Sequence, residues 1–190
     1  MGLVSAMPSG PGVISEETIA RIAATVPPTI ATFLLTSEHS PKAIIAQQRR
    51  CRTNTIQLCD HLPASVYLYL RGELPGIALV QVVHVIDSSS VDYAVAVSEH
   101  VDALLLDSGN PKLSVKELGG TGRTHDWALS RRIRDSTRIP LFLAGGLTAS
   151  NVADAVAAVE PFGLDLCSSV RTDDRLDESK LRAFFAAIPG

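Results

Sequence analysis

Apolar residues along the chain fall into two alternating rhythms. In the first they crowd together with at most two polar residues among them: Met1 to Met7, Thr29 to Leu35, Thr55 to Cys59, Ala78 to Val85, Ala103 to Leu106 running into Asp107, Pro140 to Ala144, and Leu164 to Ser168. Such nearly continuous runs predict strands buried on both faces. Between them apolar residues recur every three or four positions. Ser15, with Glu16 and Glu17 after it, is a capping start for a helix carrying Ile19, Ile22, Ala23 and Val26, which stops at Pro27-Pro28. Ser40-Pro41 opens a second helix through Ile44, Ile45 and Gln48, and further helices are predicted over Pro63 to Leu70, Ser88 to Val97, Trp127 to Arg134, Ser150 to Val159 and Asp177 to Ile188. The breaker cluster Pro8-Ser-Gly-Pro-Gly12 separates the first strand from the first helix.

Strict alternation of buried strand and amphipathic helix predicts an α/β protein with a parallel sheet covered by helices, one domain over residues 1–190. About seven strand-helix units are visible, one short of a closed (β/α)₈ barrel. An open doubly wound sheet is the competitor, but no Gly-x-Gly-x-x-Gly follows an early strand to mark a dinucleotide site.

Composition narrows the partners. With 46% hydrophobic and 19% charged residues the chain is that of a soluble globular protein, and a net charge of −3 without a basic run gives no reason to expect nucleic acid or an anionic membrane. The cysteines Cys51, Cys59 and Cys167 are odd in number and share no Cys-x-x-Cys spacing, which points to a reducing compartment, the cytoplasm, rather than a disulfide framework. The apolar runs are too short to span a bilayer.

Three strand ends carry candidate chemistry. Leu-Leu-Leu-Asp107 delivers a carboxylate at the end of a buried strand, beside the loop Gly119-Gly120-Thr121-Gly122-Arg123-Thr124-His125-Asp126, whose glycines let the backbone approach a ligand and whose Thr124 or Asp126 can cap the next helix. Phe142-Leu-Ala-Gly145-Gly146 leads into a helix beginning near Ser150 and Asn151, so its backbone amides and helix dipole form an anion site. Asp165-Leu-Cys167-Ser168-Ser169-Val-Arg171 follows with small hydroxyls and a cation. In (β/α)₈ barrels the loops after the last two strands commonly bind phosphate.

These motifs in order, with Leu-Ala-Gly-Gly-Leu-Thr-x-x-Asn-Val, Pro-Phe-Gly-Leu-Asp-Leu-Cys-Ser-Ser-Val and the upstream Ile-Gln-Leu-Cys-Asp, resemble the phosphoribosylanthranilate isomerase family of tryptophan biosynthesis. The resemblance implies a TIM-type (β/α) barrel that carries out an Amadori rearrangement of N-(5-phosphoribosyl)anthranilate to the aminoketose, with no metal and no organic cofactor. A general acid opens the ribose ring and a general base removes the C2 proton, so two groups of opposite role must face each other across the substrate. It implies Asp107 as general acid, Asp165 near the anthranilate amino group, and Gly145, Gly146 and Ser168 at the phosphate. From the residues themselves, Gly119, Gly120, Gly122 and Arg123 of the glycine loop are further substrate-binding candidates, Ser169 and Arg171 are further phosphate-side candidates, and His84, at a strand end, either faces the ligand or is a hydrogen-bonded structural histidine.

The departures are as specific. The family's base is a cysteine in a Lys-x-Cys-Gly strand, and Met1 to Ala6 matches the strand after it, so the first strand-helix unit is expected to be missing or rearranged. Cys167, two residues from Asp165 and so on the same side of the expected strand, is the local candidate for base, with Cys59 at the end of another strand. The arginine of a Ser-Pro-Arg-x-Val-Ser turn is Gly12 here, and Arg171 is either its stand-in as anion partner or a solvated loop residue. The histidine of the Gln-Leu-His strand is Cys59, and the glycine of Ser-Ser-Gly-Val is Ser169. A barrel short of one strand has two exposed edges, which an upstream segment, a rearrangement or a homodimer would cover. Two other functions stay open: a catalytically impaired phosphosugar-binding or regulatory barrel, and an isomerase acting on another phosphosugar.

Overall fold

The computed structural model describes residues 1–8 and 10–189; Ser9, inside the breaker cluster, and Gly190 lie outside the described residues. Seven strands form one sheet in chain order, β1 (Gly2–Val4), β2 (Phe33–Thr36), β3 (Thr55–Leu58), β4 (Ala78–His84), β5 (Ala103–Asp107), β6 (Leu141–Leu143) and β7 (Gly163–Leu164). Every neighbouring pair is parallel. The connections carry α1 (Glu16–Thr25), α2 (Pro41–Cys51), α3 (Ala64–Glu73), α4 (Ser89–Ser98), α5 (Trp127–Ser136) and α6 (Val152–Val159), and α7 (Glu178–Ala186) closes the chain. The result is a TIM-type (β/α) barrel wall in which, among the described residues, the outer edges of β1 and β7 have no strand partner.

Local chemistry sets the helix starts. Ser15 accepts from the Thr18 amide at 3.2 Å, Ser40 precedes Pro41 in the first turn, and Asp126 accepts from the Ala128 amide at 2.8 Å, each satisfying an orphan N–H group. Arg52 and Glu160 end α2 and α6 in the left-handed region, with φ of 56° and 51°.

The strands read as nearly continuous apolar runs because both faces are buried, and the structure separates the two. Leu34, Ile56, Leu58, Leu79, Val83, Leu104, Leu106, Leu141 and Leu143 point outward beneath the helices. Phe33, Leu35, Cys59, Val80, Val82, Ala103, Leu105, Phe142 and Ala144 point inward and pack on one another, so the sheet curls around a second apolar cluster. The one polar side chain on the outer face of β4, Gln81, is fully buried and paired: it accepts from the Tyr67 hydroxyl at 2.7 Å and donates to the carbonyls of Leu58 and Asp60. By the same alternation Asp107, two residues after Leu105, faces inward at the C-terminal rim.

Two expected strands shift their bounds, and one hairpin is added. The strand expected from Thr29 begins at Phe33, because Pro27 to Ile30 form a turn closed by the Ile30 amide on the Pro27 carbonyl. The last strand, expected over Leu164 to Ser168, is only Gly163–Leu164; Ser168–Val170 is instead a turn of 3-10 helix. A hairpin absent from the sequence reading follows, β8 (Arg171–Thr172) and β9 (Arg175–Leu176), joined through Asp173 and Asp174.

Candidate active site

Two adjoining cavities open at the C-terminal rim, and their walls differ in kind. The smaller, about 360 Å³, is lined by Gly120, Thr121 and Gly122 from the β5–α5 loop, Gly145 and Gly146 after β6, and Ser168 and Ser169 after β7. The larger, about 580 Å³, has the apolar walls Val4, Met7, Leu35, Val82, Leu105 and Leu118, with Gln57 and Cys59 at its floor. Asp107, Gly120, Asp165 and Cys167 line both, and so mark the junction.

The smaller cavity carries groups able to hold an anion. Gly145 and Gly146 are left-handed, with φ of 82° and 62°, which turns their amides out of the β6 ladder. Among the described residues the amides of Gly145, Gly146 and Leu147 donate to no acceptor. The Ser169 hydroxyl is buried without a partner in the same wall, and buried hydroxyls without partners are rare. Asn151 closes the turn by accepting from the Thr148 amide at 2.8 Å and donating to the Gly146 carbonyl at 3.0 Å. No side chain fits at Gly146, where a Cβ would lie 2.5 Å from the Arg123 carbonyl carbon.

Asp107 is 6% exposed. Its Oδ1 accepts from the Ser108 amide at 2.7 Å, and its Oδ2 lies against Gly119, where a Cβ would approach to 3.0 Å. One oxygen is thereby fixed by backbone and the other turned to the glycine loop. Asp165 stands open to solvent inside the cavity yet enclosed by protein around it; that enclosure, with the Asp107 carboxylate nearby, pushes its carboxyl up to about 6. The loop that covers the junction is tied down: Ser108 Oγ meets Thr121 Oγ1 at 2.6 Å, Arg123 pairs with Glu117, and Lys116 pairs with Asp60 at the end of β3.

The expected site residues therefore divide. Asp107, Asp165, Cys167, Gly119, Gly120, Gly122, Gly145, Gly146, Ser168 and Ser169 line the cavities. His84 does not, although its register opposite Asp107 gives it inward parity. Its Nε2 is bonded to the Cys59 carbonyl at 2.9 Å, and it lines a separate cavity with His61 and Tyr93. Arg123 is turned to Glu117 and solvent, away from both walls. Arg171 lines neither cavity: its guanidinium is held at the Asp174 carbonyl of the hairpin and against Cys167 Sγ. Since β7 stops at Leu164, strand alternation does not relate Cys167 to Asp165; the 3-10 turn brings the thiol to the junction. Cys59 is fully buried, and burial followed by the Asp107 carboxylate pushes its thiol up to about 12. His125 lines neither cavity and meets Ser130 Oγ at 2.7 Å, a loop-packing role. Gln57 and Ser108 were overlooked; a glutamine inside the apolar run Thr55 to Cys59 was the available signal for the first. Among the described residues no group of three His, Cys, Asp or Glu side chains is placed to hold a metal ion, and no helix is long and apolar enough to cross a membrane.

Known proteins resemble this chain along nearly its whole length. The family model described as N-(5'phosphoribosyl)anthranilate (PRA) isomerase matches residues 5–187. The N-(5'-phosphoribosyl)anthranilate isomerase of Halobacterium salinarum is 36% identical over 188 residues, covering 98% of this chain and 84% of that one. The crystal structure of the phosphoribosyl anthranilate isomerase of Thermotoga maritima superposes with a TM-score of 0.79 at 28% identity, over 98% of this chain and 85% of its own. A phosphoribosyl anthranilate isomerase in complex with reduced 1-(o-carboxyphenylamino)-1-deoxyribulose 5-phosphate superposes at 0.77 with 25% identity, over 98% and 84% of the two chains.

Proposed function

The chain belongs to the N-(5'-phosphoribosyl)anthranilate isomerase family, and on that premise we propose that it converts N-(5'-phosphoribosyl)anthranilate to the corresponding 1-amino-1-deoxyribulose 5-phosphate at the junction of the two cavities. The observation that carries the reading is the pair Asp107 and Asp165 set where an anion-binding cavity meets an apolar one. A phosphate at the Gly145-Gly146 turn and an aromatic ring among Val82, Leu105 and Leu118 leave the ribose between the two carboxyls.

The chemistry follows from that placement. Asp107 gives a proton to the ribose ring oxygen; the C1–O bond breaks as the nitrogen lone pair forms the imine. A base then takes the C2 proton, the C–H electron pair becomes the C1=C2 bond, and the positive charge on nitrogen is cancelled. Return of a proton to C1 and loss of one from the C2 hydroxyl give the ketone, so no oxidant is needed. Asp165 and Cys167 are the described groups that line both cavities with Asp107. Asp165 suits the base role better: with its carboxyl pushed up to about 6 it is ionised at neutral pH and more basic than an ordinary carboxylate. The Cys167 sulfur is held by Arg171 at 3.7 Å. The free thiols fit a reducing compartment such as the cytoplasm.

The test is turnover of phosphoribosylanthranilate generated in situ, followed by loss of its fluorescence. The expected result is formation of the aminoketose. A folded chain that binds a product analogue but forms no product would fit a phosphosugar-binding barrel instead.

A further inference from the structure

The larger cavity presents apolar walls to an aromatic ring, but the ring of this substrate carries a carboxylate, and an unpaired carboxylate against such walls is costly. A cation must stand at its rim. Arg171 does. Its Nη1 lies 3.7 Å from Cys167 Sγ, at the junction of the two cavities, and 3.6 Å from where a Cβ on Gly12 would be, next to Gly10 and Pro11, which line the larger cavity and not the smaller. The guanidinium thus fills the space that a side chain at residue 12 would occupy. Its remaining contact is the Asp174 carbonyl, no carboxylate is paired with it among the described residues, and its Nε is buried without a partner. Arg123 pairs with Glu117 and Lys116 with Asp60, so these two cations of the β5–α5 loop are directed to protein carboxylates, and Lys112 lies at the separate cavity with His61 and His84.

We infer that Arg171 is the residue that holds the aromatic carboxylate of the substrate, reaching over Gly12 to the rim of the larger cavity, and so selects an anthranilate over an unsubstituted aniline. The inference rests on the isomerase reading for the identity of the ligand, but concerns binding rather than proton transfer. A planar guanidinium with a buried Nε and two terminal nitrogens suits a carboxylate, which it can meet through paired N–H donors. The two glycines of the Gly10-Pro11-Gly12 segment keep that approach uncluttered, Gly12 lying at φ 84°. The hairpin is the support: Lys180 Nζ donates to the Arg171 carbonyl at 2.9 Å, and Thr172 Oγ1 donates to Asp177 at 2.8 Å, fixing the strand from which the guanidinium extends.

The experiment is a fluorescence titration of the full chain with the reduced product analogue and with its counterpart lacking the ring carboxylate, for wild type, Arg171→Ala and Arg171→Lys. Wild type is expected to prefer the carboxylate-bearing analogue, and Arg171→Ala to lose that preference by roughly 10- to 100-fold, the range of a hydrogen bond to a charged group. Arg171→Lys should recover part of it, and affinity for inorganic phosphate should stay within about twofold, since Arg171 is outside that wall. A wild type that does not distinguish the analogues overturns the inference, as does an Arg171→Ala variant that weakens both analogues and phosphate alike, which would make Arg171 only a brace for the hairpin. Because the readout is binding, a chain that shows the preference but turns nothing over would sink the isomerase reading and leave this one standing.

Discussion

Substituting one methyl group at Gly146 tests whether the turn after β6 and the loop after β5 act as one surface. A Cβ there would lie 2.5 Å from the Arg123 carbonyl carbon and 2.7 Å from the Thr124 nitrogen. Carbon atoms settle about 3.5 to 4 Å apart, so the β5–α5 loop must withdraw by roughly 1 Å. That loop carries the Gly120-Thr121-Gly122 wall, and displacement of this size costs on the order of 100-fold in rate. The variant also pays for a left-handed backbone, about 1 to 2 kcal/mol. Gly76 separates the two effects: its φ is 84°, yet nothing lies within 4 Å of a Cβ there. Gly76→Ala should lose the same stability in urea unfolding with unchanged kcat/KM, while Gly146→Ala loses the stability and about 100-fold in kcat/KM with phosphoribosylanthranilate. Equal kcat/KM in the two alanine variants would refute the claim that contact with the loop, rather than backbone freedom, demands glycine.

Three further outcomes are expected. Asp165→Asn should lower kcat by at least about 100-fold, and the wild-type rate should fall as pH drops through the Asp165 value of about 6, because the base is then protonated; a kcat within a few-fold of wild type would return Asp165 to a binding role. Asp60 is partly buried, which opposes ionisation, but hydrogen bonds from Lys116 and the His61 amide hold its carboxyl below the usual 3.8. Its contribution is therefore present above that value and lost as pH falls through the lower folded one, so Asp60→Asn should cost about 1 kcal/mol in urea unfolding at pH 7 and much less at pH 3; equal losses at both would contradict the pairing. Burial, then Glu16, raises the Cys51 thiol to about 11, and burial, then Asp107, raises Cys59 to about 12, so iodoacetamide at pH 8 should modify the half-buried Cys167 first. Mass spectrometry showing Cys59 alkylated as fast would contradict this.

The strand and helix order was legible because burial on both faces writes a nearly continuous apolar run, and four of the helix starts carry a side-chain cap, at Ser15, Ser40, Asp126 and Asp177. Asp107, the glycine loops and Ser168-Ser169 were legible for the same reason: they sit where a run ends. What the sequence concealed was direction. His84 has inward parity, but the Cys59 carbonyl gives its ring a partner elsewhere. Arg123 and Arg171 carry the right charge, and only the fold shows that the first is taken by Glu117 while the second is carried off by a hairpin. That hairpin had a signal in Thr172-Asp-Asp-Arg175: Asp173 and Asp174 both take positive φ, 49° and 58°, the pattern of a two-residue turn. Leu164, Leu166 and Cys167 around Asp165 hid it by suggesting a longer strand.

The account's central claim is that isomerisation takes place at the carboxylate ending β5. The most direct measurement is the rate of phosphoribosylanthranilate consumption by purified wild type and by Asp107→Asn at equal concentration, with phosphate affinity measured on both. The account predicts aminoketose formation by wild type, loss of at least about 100-fold in the variant, and equal phosphate binding by the two, since the amide that holds Asp107 Oδ1 can hold an asparagine oxygen as well. An Asp107→Asn protein that turns over at the wild-type rate would contradict it.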